Sequence, residues 1–368
     1  MNSSTSSSSF ERFGKGFFFL GFVPGCLLFA LGVWLEPVDG DLTRIGGFSE
    51  RDYGWRKPES IYVEPLPVND QSYRYRDILV LGDSFATEKP KLQWQNRLHL
   101  RTGWSVGTLS SYRVSIDQLL ENPEFRANPP KLLIFETVER DLPTRLQKMP
   151  QGLTSTGRSP ALSLKPPKAP TESLESAMTT EVRSQKITDI QIPFVARYLF
   201  RTLQREWLGM MPGKALRLPL QRNDLFSNRR SGDLLVFKDD FGKVATWKAM
   251  GIEEMSSRLR SLRTRVESNG VTRLMVLIAP DKSTAYRDAL RDPSSGPQTE
   301  LPRLIQRCEA FVPDTDTALR RAIEKGGQDL YAPNDTHWGS DAHALIADLI
   351  ITFLGAEGRG PSRISPLE

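Results

Sequence analysis

A chain of 368 residues, 39% apolar and 25% charged, is long enough for one large α/β domain with an insertion, and its make-up excludes fibrous and wholly disordered classes. The formal charge of +5 is small, and no basic run interleaved with aromatics accompanies it, so nucleic acid is set aside as a partner.

From the N-terminus, residues 1–16 form a polar, Ser-rich tail with Arg12 and Lys15, and residues 17–35 then run without a charge. That is about the length of a bilayer-spanning helix, and basic residues before it favour a cytoplasmic tail and an exported remainder. A cleaved secretory signal is the alternative, with Ala30-Leu-Gly32 as a small-x-small site. The run continues through Val33, Trp34 and Leu35, beyond a usual signal core, which favours a single-pass anchor in the inner membrane with the body in the periplasm or another extracytoplasmic space. With Cys26 inside this run, Cys308 has no intrachain disulfide partner in the exported part.

Residues 36–74, rich in Gly, Pro, Tyr and charge, read as a linker and lead-in. The domain is expected over 75–355. It starts with a strand at 77–81, a helix at 91–101, a strand at 104–109, a short helix at 116–122 and a strand at 132–135. An insertion at about 147–250 breaks this rhythm: 147–192 is dense in Pro, Ser, Thr and Lys, 193–208 has helical spacing, and 234–237 with 244–247 reads as a hairpin. The pattern resumes with a helix at 251–268 stopped by Asn269-Gly270 and a strand at 274–278. Helices at 301–310 and 315–325 flank a short strand at 311–312, and a last helix at 342–354, capped by Ser340 or Asp341, precedes a tail over 356–368. Strands alternating with helices predict a parallel sheet covered on both faces.

Two segments carry candidate chemistry. Asp77-Ile-Leu-Val-Leu-Gly-Asp-Ser-Phe85 is a buried strand ending in a turn, which sets Ser84 at the carboxyl end of a parallel sheet, where open α/β sheets build their sites. Asn334-Asp-Thr-His-Trp338 sets Asp335 two residues before His337 at the entry to the last helix. A serine hydroxyl needs an imidazole to take its proton, and the imidazole needs a carboxylate to fix its tautomer, so Ser84, His337 and Asp335 form a split nucleophile, base and orienter. Of the other two histidines, His343 falls inside the final helix and His99 inside an earlier one, and both read as structural. Three scattered histidines without a cysteine pair give no metal-ligand spacing, and no cofactor is expected.

Gly82-Asp-Ser-Phe85, Glu139-Arg140 after a strand, Ala279-Pro-Asp-Lys282 with Tyr286, and Asp335-Thr-His-Trp338 together resemble the SGNH-hydrolase-like family of alginate O-acetyltransferases, the AlgJ/AlgX type. The likeness covers about 75–355, without most of 147–230. It implies a three-layer, flavodoxin-like SGNH-hydrolase fold and a serine that is acetylated and passes the acetyl group to a polysaccharide hydroxyl. A membrane-bound O-acyltransferase is then the expected acetyl donor. The serine here precedes the Asp-x-His pair, as in ordinary SGNH esterases, whereas in the alginate proteins the pair comes first.

Further expectations concern the surroundings of Ser84. Gly107 is a candidate oxyanion donor or a plain turn glycine. Arg140 either substitutes for the family's missing asparagine or fixes its loop through an ion pair. Lys282 and Tyr286 line an acceptor groove or merely begin a helix, and Trp338 is a sugar platform or a buttress for His337. A polysaccharide O-acetyltransferase, a serine esterase with the same triad, and a non-catalytic carbohydrate-binding scaffold remain open at this level; the intact Ser84, His337 and Asp335 disfavour the scaffold.

Overall fold

The computed structural model describes residues 6–68, 73–149, 174–182 and 189–357, so most of the loop-rich stretch at 147–192 lies outside the described residues. Helical structure begins with Ser6–Phe17, passes through a π turn at Phe18–Phe22 and continues as Val23–Leu35; together these form α1. Within it Phe10–Leu35 is, by length and composition, a helix apolar enough to cross a membrane. Most of its Phe and Leu side chains are exposed.

Eight strands follow among the described residues: β1 (Glu59–Tyr62), β2 (Ile78–Gly82), β3 (Val106–Ser110), β4 (Leu132–Val138), β5 (Met178–Glu181), β6 (Ala215–Pro219), β7 (Asp233–Phe237) and β8 (Arg273–Ala279). The central sheet has the order β3-β2-β4-β8 with every pair parallel, while β1 pairs with β5 and β6 with β7, both antiparallel. Alternation along the apolar strands sends Ile78, Val80, Ile134 and Met275 into one core and Leu79, Leu81, Phe135 and Val276 into another. Each such side chain contributes roughly 1.5–3 kcal/mol by leaving water.

The first core is closed by α2 (Trp94–Thr102), through Trp94 and Leu98, and by two later helices. The second core lies beyond the other face of the sheet. A helix set apart from both, α3 (Ile192–Leu208), packs against the Val23–Leu35 part of α1. Then come α4 (Lys243–Glu267), α5 (Leu301–Cys308), α6 (Thr315–Glu324) and α7 (Ser340–Glu357). Leu259 and Leu262 of α4 and Ile305 of α5 fill the second core, and Leu319 of α6 with Ile346 and Ile350 of α7 fill the first. The α/β architecture with a parallel sheet covered on both faces is the one the sequence predicts.

Three local expectations are corrected. Residues 244–247 form no hairpin strand; they open α4, because Lys243, Trp247 and Met250 recur at helical spacing and are all buried, while β7 takes β6 as its partner. The helix expected from 251 is the continuation of that element beyond a break at Gly251, whose φ of 72° a side chain would resist. Phe311 and Val312 form a turn instead of a strand, although the Phe311 carbonyl accepts a bond from Val276 N on β8.

The lead-in is also more than a tether. It contains helical turns at Asp41–Gly46 and Glu50–Tyr53 and the strand β1. Leu42, Phe48 and Tyr53 pack with Ala215 and Leu235 of the β6–β7 ribbon.

Candidate active site

The serine end is held by strands. Asp83 caps the single helical turn Ser84–Thr87: its Oδ1 accepts from Phe85 N at 3.0 Å, and its Oδ2 accepts from Val138 N on β4 at 2.7 Å. Asp83 N in turn donates to Glu136 Oε2 at 2.9 Å. Burial, then the nearby Asp83 charge, pushes the Glu136 carboxyl well above the ordinary range, so it is the neutral member of this pair. Gly82 is required for closeness: a Cβ there would stand 2.5 Å from Ala86 Cβ and 2.7 Å from Glu136 Oε2. Ser84 itself is half-buried at the carboxyl end of β2, and its hydroxyl reaches the Tyr112 phenol just past β3.

The base end is held by parts distant in sequence. His337 Nδ1 and Asp335 Oδ1 are 2.7 Å apart, and the same oxygen accepts from Thr336 N at 2.6 Å and His337 N at 3.2 Å. Burial works to raise the Asp335 carboxyl, but the His337 hydrogen bond and charge and then Lys89, whose Nζ is 3.6 Å from Oδ2, hold it far below the carboxylate range. Burial likewise works to lower the His337 pKa, and Asp335 overrides it and raises it. His337 Nε2 is buried and has no hydrogen-bond partner among the described residues.

Phe85, next to Ser84, brings the two ends together. Its ring centroid lies 4.9 Å from that of His337 and 4.9 Å from that of Trp338.

Lys282 has a different place from the one expected. It is buried, and its Nζ donates to the carbonyls of Ala332 (2.7 Å), Pro333 (3.0 Å) and Asp335 (3.1 Å), clamping the loop that carries the Asp335–His337 pair. Burial lowers its pKa to about 7. Tyr286 is fully buried and stacks on Phe226, with centroids 5.0 Å apart, so neither residue lines an open groove: the groove expectation fails because both side chains are spent inside the fold.

Trp338 is likewise fully buried, edge-on to Phe85 and, at 5.6 Å, to His343, which makes it a buttress and not a sugar platform. His343 is buried behind it, and burial lowers its pKa to about 3; His99 bonds the Trp104 carbonyl through Nδ1 at 2.7 Å. Both are structural, as read from their helical positions.

Arg140 belongs to a buried charge cluster where β4 and β8 end. It pairs with Asp281 and lies 3.5 Å from Asp240, while Lys243 Nζ sits 2.7 Å from Asp281 and 2.9 Å from Glu139. Burial, then Asp281, pushes Asp240 up to about 8, so a protonated Asp240 leaves two acids facing two bases. The loop-fixing reading of Arg140 therefore has the geometry behind it. Gly107 is paired with Leu79 near the start of the β2–β3 ladder, whereas Gly82 pairs with Ser110 at its end. The structure does not bring Gly107 to the rim that carries Ser84.

Several residues of this region were not singled out from sequence. Lys89 faces Asp335, Tyr112 faces Ser84, and Asp41 and Glu88 place carboxylate oxygens within 4.8 Å of each other and of a His337 ring nitrogen. Those three could offer ligand atoms to a metal, but His337 Nδ1 is already engaged by Asp335 and a metal would compete for it. Glu50 of the lead-in braces this loop: it accepts from Gly40 N at 2.8 Å and from Asn334 Nδ2 at 2.8 Å, while Leu42 N donates to the Asn334 carbonyl at 3.0 Å. Beside them opens a cavity of 680 Å³ whose lining includes Trp55, Lys57, Glu59, Lys89, Lys91 and Asn334. A second cavity, of 390 Å³, includes Ser111, Tyr112, Asp141 and Arg145.

Residues 235–362 match the family model described as the SGNH hydrolase-like domain of acetyltransferase AlgX. The matched stretch contains Lys282, Asp335 and His337, and Ser84 lies before it. No curated protein and no solved structure matches the chain.

Proposed function

From the match of residues 235–362 to the SGNH hydrolase-like domain of acetyltransferase AlgX, we propose that the protein is a membrane-anchored, exported O-acetyltransferase that acetylates a cell-surface or secreted polysaccharide through an acyl-serine. The observation that carries this reading is the 2.7 Å Asp335–His337 contact with a buried, unpartnered Nε2, beside the turn that presents Ser84. A buried polar atom without a partner calls for a hydroxyl to complete it.

In the first half-reaction Ser84 Oγ attacks the acetyl carbonyl of the donor while His337 Nε2 takes its proton, and Asp335 stabilises the imidazolium through Nδ1–H. The N–H groups of Asp83, Phe85 and Ala86 are bonded to Glu136 Oε2, Asp83 Oδ1 and the Asp83 carbonyl, so in this reading it is the Ser84 N–H that faces the developing oxyanion. Collapse breaks the donor's acyl bond, and His337 returns the proton to the departing group. The second half-reaction repeats these steps with a glycan hydroxyl as nucleophile, restoring the Ser84 hydroxyl.

The α1 helix supplies the anchor in this reading, and a membrane-bound O-acyltransferase supplies the acetyl group on the far side of the bilayer from acetyl-CoA. The 680 Å³ cavity beside Lys89 and Asn334 is assigned to the acceptor. A serine esterase uses the same groups with water as acceptor, and the serine-first order of the chain favours that second reading.

The test is partition. The full chain in a membrane mimic receives an activated acetyl ester and a panel of oligosaccharides, and acetylated sugar is measured against free acetate. Acetylated sugar supports the transferase; acetate alone, with every sugar unmodified, identifies the esterase; neither product, with the wild-type chain folded, defeats both.

A further inference from the structure

The α3 helix carries an apolar stripe that nothing among the described residues covers. Ile192, Leu199, Phe200, Leu203 and Trp207 recur at helical spacing and are all exposed, Trp207 to 82%, and Met210 extends the stripe past the helix end. Buried core helices do not show such a face, and an exposed apolar patch of this extent marks a contact surface.

The opposite face fixes how the helix is turned. Arg201 donates to the Ile45 carbonyl, and Arg205, one turn on, donates to the carbonyls of Gly46 (2.8 Å) and Gly47 (2.7 Å). The Arg205 guanidinium also lies over the Phe48 ring at 4.3 Å. At its N-terminal end α3 buries Phe194 and Val195 near the end of α1, where a Cβ on Gly32 would meet Ile190 Cγ2 at 2.5 Å and Val195 Cγ2 at 3.2 Å. These contacts hold the stripe outward, away from the body, while binding the helix to the place where α1 ends.

We propose that α3 lies in the headgroup plane of the bilayer that α1 crosses, with its apolar stripe sunk into the acyl boundary. The inference rests on reading α1 as a membrane anchor. The bilayer is the occupant because α3 packs on the part of α1 that carries the exposed Phe29, Val33 and Trp34, with Gly32 against Ile190 and Val195 at the contact, and because Arg197 stands exposed on the same helix, able to meet lipid phosphates. A helix with this composition binds with its apolar face about 5–10 Å into the headgroup–acyl boundary.

The consequence is a site pinned to the membrane. Asp41, whose carboxylate lies near His337, follows Leu35 by six residues, at most about 20 Å of extended chain. An acyl group delivered at the membrane surface thus has a short path to Ser84, and α3 stops the domain from tilting about the end of α1.

The experiment uses the full chain with Cys26→Ser and Cys308→Ser, one nitroxide label introduced at a time by Phe19→Cys, Leu203→Cys or Trp207→Cys, in nanodiscs of phosphatidylcholine and phosphatidylglycerol. Collision rates with oxygen and with a water-soluble nickel chelate give depth. Expected are a label at 19 deep in the bilayer and labels at 203 and 207 at the headgroup–acyl boundary, each shielded from nickel by at least tenfold relative to a label placed by Glu253→Cys on α4. A deep label at 19 with nickel-accessible labels at 203 and 207 would overturn the inference while keeping the anchor. Labels at 203 and 207 shielded from both reagents would also overturn it, since protein would then cover the stripe. A water-accessible label at 19 would remove the anchor and this inference with it.

Discussion

The two ends of the candidate site are built from different materials. At the serine end Asp83, Glu136 and Val138 hold the turn from β2 and its neighbour β4, so Ser84 inherits the rigidity of a sheet buried on both faces. At the base end the loop at 332–338 is irregular backbone, and Lys282, Glu50, Asn334 and the Gly40–Leu42 segment fix it through polar contacts across the chain. Irregular backbone placed inside a fold must have its carbonyls met individually, which makes the His337 loop the more vulnerable of the two. It also couples the base to the segment that leaves α1.

The comparison can be broken in a graded way. Asp335→Asn removes the charge that orients His337 while keeping shape, and acylation of Ser84 should fall by about 10⁴-fold, read by burst kinetics with an activated ester. Lys282→Met takes the lysine donor from the buried Pro333 and Asp335 carbonyls, while the Ala332 carbonyl keeps its bond from Asp335 N, and should cost about 3 kcal/mol in denaturant unfolding, together with most of the activity. Glu50→Ala strips four donors, Asp39 N, Gly40 N, Thr43 Oγ1 and Asn334 Nδ2, of their acceptor and should cost about 2 kcal/mol, with faster amide exchange at 332–338 but not at 83–87. At the serine end Glu136→Gln should cost no more than about 1 kcal/mol, because Glu136 is already neutral and an amide oxygen can accept from Asp83 N. Should Glu136→Gln prove as damaging as Lys282→Met, the contrast between the two ends is lost.

Acidity sharpens the same contrast. The His337 pKa is raised, so its stabilising contribution is complete below about pH 6.5 and is lost as pH rises through the higher folded value. The Asp335 pKa is depressed, so its contribution is complete above about pH 4 and is lost as pH falls toward the folded value. The pair therefore supports the fold most between about pH 4 and 6.5, whereas catalysis needs neutral His337 and rises with pH through a value above about 6.5. In Asp335→Asn the acid limb of the rate profile should move to lower pH.

Much of this was legible in local sequence. Three of the four central strands, β2, β4 and β8, carry continuous apolar runs, and the Gly-Asp-Ser and Asp-x-His segments declare their residue types within a few positions. What failed depended on distance or on side-chain direction. Val244–Trp247 has strand-like composition, and only the burial of Lys243, an ion-paired cation, reveals the helical period. Glu50 and Asn334 are 284 residues apart, so a Gly- and Pro-rich lead-in gave no sign that it braces the base. Lys282 and Tyr286 lie in the expected neighbourhood but inside the fold, since a lysine's preference for water is overridden here by three carbonyls and an aromatic face, while Trp338 takes the buttress role of its two readings. Gly107 was misplaced by three residues of register, which on a strand is about 10 Å.

The most direct measurement is peptide mapping of the full chain after brief exposure to an activated acetyl ester, beside Ser84→Ala and His337→Ala. The account predicts one acetyl group on the peptide containing Ser84 in the wild type, and none on it in either variant, with all three chains folded by circular dichroism. Acetylation elsewhere that survives Ser84→Ala, or Ser84 labelling that is indifferent to His337→Ala, would contradict it.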